Sequence, residues 1–497
     1  MKDISNAIGW GPIDTGRAAQ EATYTTTAIL LILASFGIAL LIGPLWALVV
    51  IGFVVGMVVF FHPSDGLWLS PCLMMLASLI APPEGFQSGV GYSPELPYWA
   101  VSLCLVFIPM LLRYFYPGSA ARKVNASKRL ASPPRAVYVF LAFCVFSALL
   151  GVARGYSIGN VGKQLYGFVL FCAYFLFAFQ FAPREQDVRR ILRNLWWGAV
   201  SASIIYLLIY FWKFGSEGVR KDLTILSAYG SGLAVLAIPD FFMPARFKVK
   251  FRSFVSAVIL LGVPFFAGYK RGIASFAVCI LVWSGLKLRS TFKRAAVVFA
   301  ALTVVGLLLG TGLLDPVTES AAGLPGLSQF KLGDVQTNYS VFLRVEELRQ
   351  VLDSLHGVPF LGTGLGSTIS WYDPYTKTVW EQETLDIGWG YLLVKMGLLG
   401  TLIFIWFLGT LLVPALKRRM SDLETGLFLL IFFGLLQMVA DTFMVYFMTA
   451  GWMGTMCGFL YQSLKARPGA AWKGNGVLLA AAQPVIGAAN ADGISTK

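Results

Sequence analysis

The 497 residues are 57% hydrophobic and only 13% charged, with a mean hydropathy of +0.71. A soluble domain covers itself with ~25% charged residues, so this composition excludes a water-covered globule and requires lipid against much of the surface. The net charge of +14 does not point to nucleic acid, because Lys and Arg sit in short segments between apolar runs, as in membrane loops of one polarity.

Residues 1–26 are mixed polar and lack the short apolar core and cleavage site of a removable signal. They read as a cytoplasmic segment, and the first helix itself is expected to direct insertion. A bilayer core of ~30 Å takes about 20 apolar residues per helix. Runs near that length lie at 27–43, 45–61, 67–82, 98–115, 136–152, 166–182, 195–213, 223–243, 254–268, 272–286 and 295–313, then at 388–413, 424–441 and 445–463. They predict an all-α, polytopic bundle of 12–14 transmembrane helices, the upper count applying if the hairpins 27–61, 254–286 and 424–463 all divide. The plan is then a bundle over 27–313, a large periplasmic loop over 314–387, a second bundle block over 388–463, and a cytoplasmic tail over 464–497. That tail is rich in Ala and Gly and is expected to be disordered.

Alternate loops carry the cations. The clusters are Arg113, Arg122, Lys123, Lys128, Arg129 and Arg135; Arg184, Arg189, Arg190 and Arg193; Arg246, Lys248, Lys250 and Arg252; Lys287, Arg289, Lys293 and Arg294; Lys417, Arg418 and Arg419; and Lys465, Arg467 and Lys473. All fall on one side of the even-numbered count. That side is cytoplasmic by the positive-inside rule, with both termini there. The cysteines (Cys72, Cys104, Cys144, Cys172, Cys279, Cys457) all lie in apolar runs, and the histidines are His62 and His356. Neither a disulfide framework nor a histidine metal centre is suggested.

The segment 314–387 falls on the opposite side and is acidic: Asp315, Glu319, Asp334, Glu346, Glu347, Asp353, Asp373, Glu381, Glu383 and Asp386 stand against Lys331, Arg344, Arg349 and Lys377. Val345, Leu348, Val351, Leu352 and Leu355 recur at helical spacing and predict an amphipathic helix over 341–355. Pro359-Phe-Leu-Gly-Thr-Gly-Leu-Gly366 follows. No strand precedes these glycines and no Gly-Lys-Ser follows, so a tight turn describes them better than a nucleotide loop.

Several residues could carry chemistry. Lys270 and Arg271 occupy a tight hairpin on the side where cations are disfavoured. Ionisable groups at membrane depth are functional candidates by default, the structural alternative being snorkelling to headgroups. Arg344 opens the amphipathic helix, where a guanidinium suits phosphate oxygens; the alternative is a surface ion pair with Glu346 or Glu347. Glu381, Glu383 and Asp386 gather where the chain re-enters the membrane, as candidate general bases or helix-dipole partners. Asp386, nearest the apolar run, is the hardest to explain as decoration. Arg154 and Lys163, with Lys213, Arg220 and Lys221, could line a basic mouth for an anionic lipid or simply face headgroups. Asp441 is a site member or a helix-end residue.

The order of these features resembles one family. A Lys-Arg-Gly hairpin precedes a long outer loop bearing Leu343-Arg-Val-Glu-Glu347. Pro359-Phe-Leu-Gly-Thr-Gly-Leu-Gly366 comes next, and then Asp386-Ile-Gly-Trp-Gly-Tyr-Leu-Leu-Val-Lys-Met-Gly397-Leu-Leu-Gly400 enters a helix. The pattern, covering roughly 260–412, is similar to the O-antigen ligase/polymerase family of bacterial membrane glycosyltransferases. The resemblance implies an undecaprenyl-diphosphate-linked oligosaccharide as substrate, at the outer leaflet of the bacterial inner membrane. Arg271 and Arg344, with Lys270, would hold the diphosphate, and Asp386, with Glu383, would serve as base. Arg154, Lys163, Arg220 and Lys221 would be further substrate contacts. The family's ligases place a histidine where Asp386 stands, which favours a polymerase of exopolysaccharide, capsule or O-antigen (lipopolysaccharide) repeat units. The resemblance implies no metal and no cofactor, inversion at the sugar, and as partners the bilayer, a chain-length regulator and a flippase, with no nucleic acid. The competing classes are a ligase onto a lipid A-core acceptor and a lipid-linked oligosaccharide transporter.

Overall fold

The computed structural model describes residues 55–80, 106–116, 132–212, 224–239, 247–266, 270–287, 346–353, 357–373, 378–382, 385, 387–418, 420–439 and 447–465. The runs expected at 27–43 and 295–313 and the tail over 466–497 lie outside these residues. So do Lys213, Arg220, Lys221, Arg344, Glu383, Asp386 and Asp441, and the side chains of Lys270 and Glu381.

The described chain is a helical bundle. Its helices are α1 (Pro63–Ile80), α2 (Ile108–Phe115), α3 (Arg135–Ala153), α4 (Ile158–Phe181), α5 (Glu185–Trp212), α6 (Thr224–Ala234), α7 (Phe247–Phe266), α8 (Lys270–Lys287), α9 (Gly388–Lys417), α10 (Asp422–Gln437) and α11 (Phe447–Lys465). Among the described residues four helices, at Arg135–Ala153, Ile158–Phe181, Glu185–Leu208 and Gly388–Lys417, are long and apolar enough to cross a membrane. This is a membrane protein by that measure. Between α8 and α9 the chain adds a feature that the apolar runs did not announce. Ile369–Asp373 (β1) and Thr378–Gln382 (β2) form a two-stranded antiparallel hairpin with Trp371 opposite Trp380.

Local chemistry sets the helix ends. Pro134 has the extended backbone of a helix entry before α3. Ser157 caps α4, its hydroxyl accepting from Asn160 N at 3.2 Å. Ser421 and Glu424 form a reciprocal capping box at α10.

Without water to drive apolar faces together, close approach holds such bundles. α11 lies along α4, with Gly454 and Gly458 against the carbonyls of Phe171 and Phe175; a Cβ at Gly454 would overlap the Phe171 carbonyl oxygen. α3 and α9 pack on the same side of α4 through rings. Phe140 lies 5.2 Å from Phe404, and Phe171 lies 5.5 Å from Phe407. Edge-to-face contacts such as Phe140 on Phe168, at 83°, suit the ring quadrupoles.

The basic helix ends gather at one end of the bundle. Lys287 Nζ, at the C-terminus of α8, donates to Met420 O and to Asp422 Oδ1 at 3.0 and 3.2 Å. Arg418 ties the α9–α10 turn to the end of α11, donating to Leu464 O at 3.0 Å and to the buried Glu424 carboxylate at 2.7 Å. Tyr461 and Phe179 bring the C-terminal end of α4 to the same place. The opposite end holds the candidate site.

Candidate functional site

α9 is a broken helix. Gly397 has φ 67° and ψ −173°, and the helix changes direction there. In a straight helix Trp389 and Phe404 would stand ~22 Å apart along the axis, yet their ring centroids are 6.0 Å apart. The short half 388–396 therefore turns back onto the long half 398–417. The long half alone, at ~1.5 Å per residue, measures ~30 Å, the depth of a bilayer core.

A break strands backbone groups that must find partners away from water. The glycine-rich segment supplies backbone partners on both sides of the break. Pro359 O accepts from Leu398 N at 2.9 Å, and Phe360 O accepts from Leu399 N at 3.1 Å. In the other direction Thr363 N donates to Val394 O at 2.7 Å, and Gly364 N donates to Lys395 O at 3.0 Å. Leu365 N reaches α3 at Ser147 O, 3.1 Å away, and Ser147 Oγ donates to Lys395 O at 3.1 Å. The segment is a backbone splint, built between α3, α4 and the two halves of α9.

Gly362 and Gly397 face each other across the break and admit only glycine. Gly362 has φ 68°, and a Cβ there would overlap Gly397 N. At Gly397 a Cβ would overlap Phe360 O. The spacing had suggested a tight turn; the positive φ values agree, and the reason for them is contact with a second backbone.

Side chains complete the splint. Gln164 of α4 accepts from Gly366 N at 2.7 Å and donates to Ser367 O at 3.3 Å. Lys395, 0% exposed, donates to Ser367 O and, at 2.8 Å, to Ser367 Oγ. Its ammonium lies 5.5 Å from the Tyr391 ring centroid, a cation–π distance. Thr363 Oγ1 and Ser367 Oγ are 2.8 Å apart. Lys395 was missed as a candidate although the signal was present: an ionisable residue inside the apolar run 388–413.

A second convergence lies at the C-terminal end of α10. Gln437 Nε2 donates to Arg271 O at 3.3 Å and to Ser275 Oγ at 2.8 Å. The next residue, Met438, accepts from Trp389 N at 3.2 Å. The starts of α8 and α9 thus meet at neighbouring residues of α10. Helix N-termini carry partial positive charge, and one of these bears Lys270 and Arg271, the latter half-buried. Two positive helix starts with Lys270 and Arg271 thus stand against the single negative end of α10.

The helical residues 346–353 join the same neighbourhood through Val351, which packs against Gly390 in the first turn of α9. Their burial departs from the expected stripe. Val351 and Glu347 are buried, whereas Leu348 and Leu352 are exposed. The helix turns a carboxylate inward where periodicity placed leucines, so it is amphipathic in pattern but not in its packing.

The candidates therefore separate. Arg271 stands at the corner with the α9 entry. Arg154, the C-cap of α3, is exposed and spends one guanidinium N–H on Gly362 O at 2.7 Å, which ties it to the splint. Lys163 lies on the exposed face of α4. Arg344, Glu383, Asp386, Arg220 and Lys221 lie outside the described residues. In sequence Arg344 is three residues before Glu347, and Asp386 directly precedes Ile387. Among the described residues no group of three His, Cys, Asp or Glu side chains could hold a metal. No known family model matches this chain, and no curated protein matches it.

Proposed function

We propose that this protein is a multi-pass glycosyltransferase of the bacterial inner membrane that polymerises undecaprenyl-diphosphate-linked repeat units into exopolysaccharide, capsule or O-antigen. The observation that carries this reading is the meeting of the Arg271 helix start and the Gly388 helix start at Gln437 and Met438. The helical residues 346–353, which begin two residues after Arg344 in sequence, join them through Val351 on Gly390. The basic ends at Lys287, Arg418 and Lys465 lie at the other end of the bundle. The positive-inside rule makes that end cytoplasmic, with both termini there, and turns the Arg271 corner and the 314–387 loop outward.

In this mechanism the diphosphate of the lipid carrier sits at the positive corner, held by Arg271, Lys270 and Arg344. Sugar transfer leaves a diphosphate, and fixed guanidinium groups stabilise the charge as the glycosidic bond to phosphate breaks. Asp386, directly before Ile387, takes the proton of the acceptor hydroxyl as it attacks the sugar from the opposite face. Arg154, Lys163, Arg220 and Lys221 guide the anionic lipid. Arginines provide the charge compensation, so the scheme calls for no metal and no cofactor.

One observation favours a second reading. Broken helices occur in transporters, and α9 is broken at Gly397; a flippase for the same lipid-linked sugars would use such a hinge. Here the break is bridged on both sides by recorded backbone hydrogen bonds from one segment, which suits a fixed elbow better than a moving gate. Deleting the gene and resolving the surface polysaccharide on a gel separates the classes. Loss of a polymerase leaves single repeat units, loss of a flippase leaves none outside, and loss of a ligase accumulates long chains on the carrier. Unchanged polysaccharide would overturn the proposal.

A further inference from the structure

We infer that Pro359–Leu361 is seated among the acyl chains of the leaflet at the Gly397 end of the bundle, so that the segment between α8 and α9 is moored in lipid. The occupant of this surface is the surrounding bilayer, not a second protein. The inference rests on reading the long half of α9 as membrane-spanning and is independent of the glycosyl-transfer chemistry.

The argument begins with the backbone. Because Pro359 O and Phe360 O accept from Leu398 N and Leu399 N, this stretch lies beside the first turn of the long half. That half turns Leu398, Leu399, Leu402, Ile405 and Trp406 outward. Their spacing of three and four residues makes one continuous apolar face, and on a helix of bilayer length that face is its contact with lipid. Phe360 is 69% exposed and Leu361 37% exposed, and the bonds from Leu398 N and Leu399 N set their backbone beside the top of this face. A phenylalanine so uncovered, directly continuing a lipid-facing stripe, belongs to the same solvent as the stripe.

The polar groups mark the boundary. The stranded groups at Val394, Lys395, Leu398 and Leu399 are each bonded to the segment. Irregular backbone at membrane depth is tolerated under that condition. Arg154 donates to Gly362 O while its side chain stays exposed. A guanidinium one residue beyond Leu361 suits the phosphate level, its apolar stem alongside the chains.

The test is depth measurement by spin-label collision in liposomes of phosphatidylethanolamine and phosphatidylglycerol. Native cysteines are replaced by alanine, and single labels are placed at Phe360→Cys, Leu402→Cys and Asp353→Cys. Phe360, Leu402 and Asp353 are all exposed, so the labels displace no packed side chain. Leu361→Cys is read in parallel as a second reporter of the same stretch. The label at 360 is expected to collide with oxygen as the label at 402 does, and several-fold less often with a water-soluble nickel chelate than the label at 353. A label at 360 as open to nickel as that at 353, with 402 still shielded, overturns the inference alone. Nickel access at 402 overturns it together with the membrane-spanning reading of α9.

Discussion

The two ends of this bundle are held by different physics. At the basic end helix termini are joined by side chains: Arg418 to Glu424, Lys287 to Asp422, and the Ser421 capping box. At the Gly397 end they are joined mainly by backbone, with the 358–367 segment bonded into α3, α4 and both halves of α9. Side-chain ties are tolerant, because a long side chain can move and water can substitute. Backbone ties at contact distance are not, because nothing smaller than glycine exists. The difference teaches where the fold is brittle: at the glycine contacts of the Gly397 break.

The comparison can be broken by measuring stability in detergent, and the largest effect belongs to the glycines. Gly397→Val forces a β-branched residue into positive φ and drives its Cβ into the Phe360 carbonyl. It is expected to destabilise by about 4 kcal/mol or to prevent folding, read as loss of the monodisperse peak and of a cooperative melting transition. Lys395→Met comes next. It removes a wholly buried ammonium from Ser367 O and Oγ, which keep Gln164 and Thr363 as partners, and the loss of two bonds from a charged donor costs about 2–3 kcal/mol. A melting temperature unchanged by this substitution would show that the splint does not depend on its one buried cation among the described residues.

The basic end should yield less. Glu424→Gln keeps a group able to reach Ser421 N but loses the charge facing Arg418, which is 30% exposed. With solvent weakening that pair, about 1–2 kcal/mol is expected. Lys287→Ala removes a partly exposed pair at 3.2 Å and should cost under about 1 kcal/mol, with a melting shift near the resolution of the assay. If the two charge deletions destabilise more than Gly397→Val, the contrast between the ends is wrong.

Legibility in the sequence follows the same division. The helical bundle was readable because apolar runs and basic clusters are one-dimensional signals: the 136–152 run lies within Arg135–Ala153, and 254–268 with 272–286 fall on Phe247–Phe266 and Lys270–Lys287. The break at Gly397 was not readable. Gly397-Leu-Leu-Gly400 inside an apolar run looks like an uninterrupted helix, and only a partner thirty-odd residues away in sequence, the Pro359–Gly364 stretch, gives Gly397 its φ. The hairpin at 369–382 did carry a signal, β-branched and aromatic residues flanking Asp373-Pro-Tyr, inside a segment expected only as part of the large loop. The leucines at 348 and 352 misled because periodicity reports an apolar face without naming the medium that it meets, protein or lipid. Of the site, Arg271 stood out as a cation out of place, while Gln437, Met438 and Trp389 are joined to it by contacts across three helix ends that no spacing encodes.

The most direct test of the account is chain extension by purified protein in liposomes supplied with a lipid-diphosphate-linked repeat unit, comparing the unaltered chain with Arg271→Ala. Removing a fixed positive group from the developing diphosphate should slow transfer by about 10²–10³-fold, so the variant is expected to insert and melt normally yet give no product ladder. A ladder of full length and normal rate from Arg271→Ala would contradict the account.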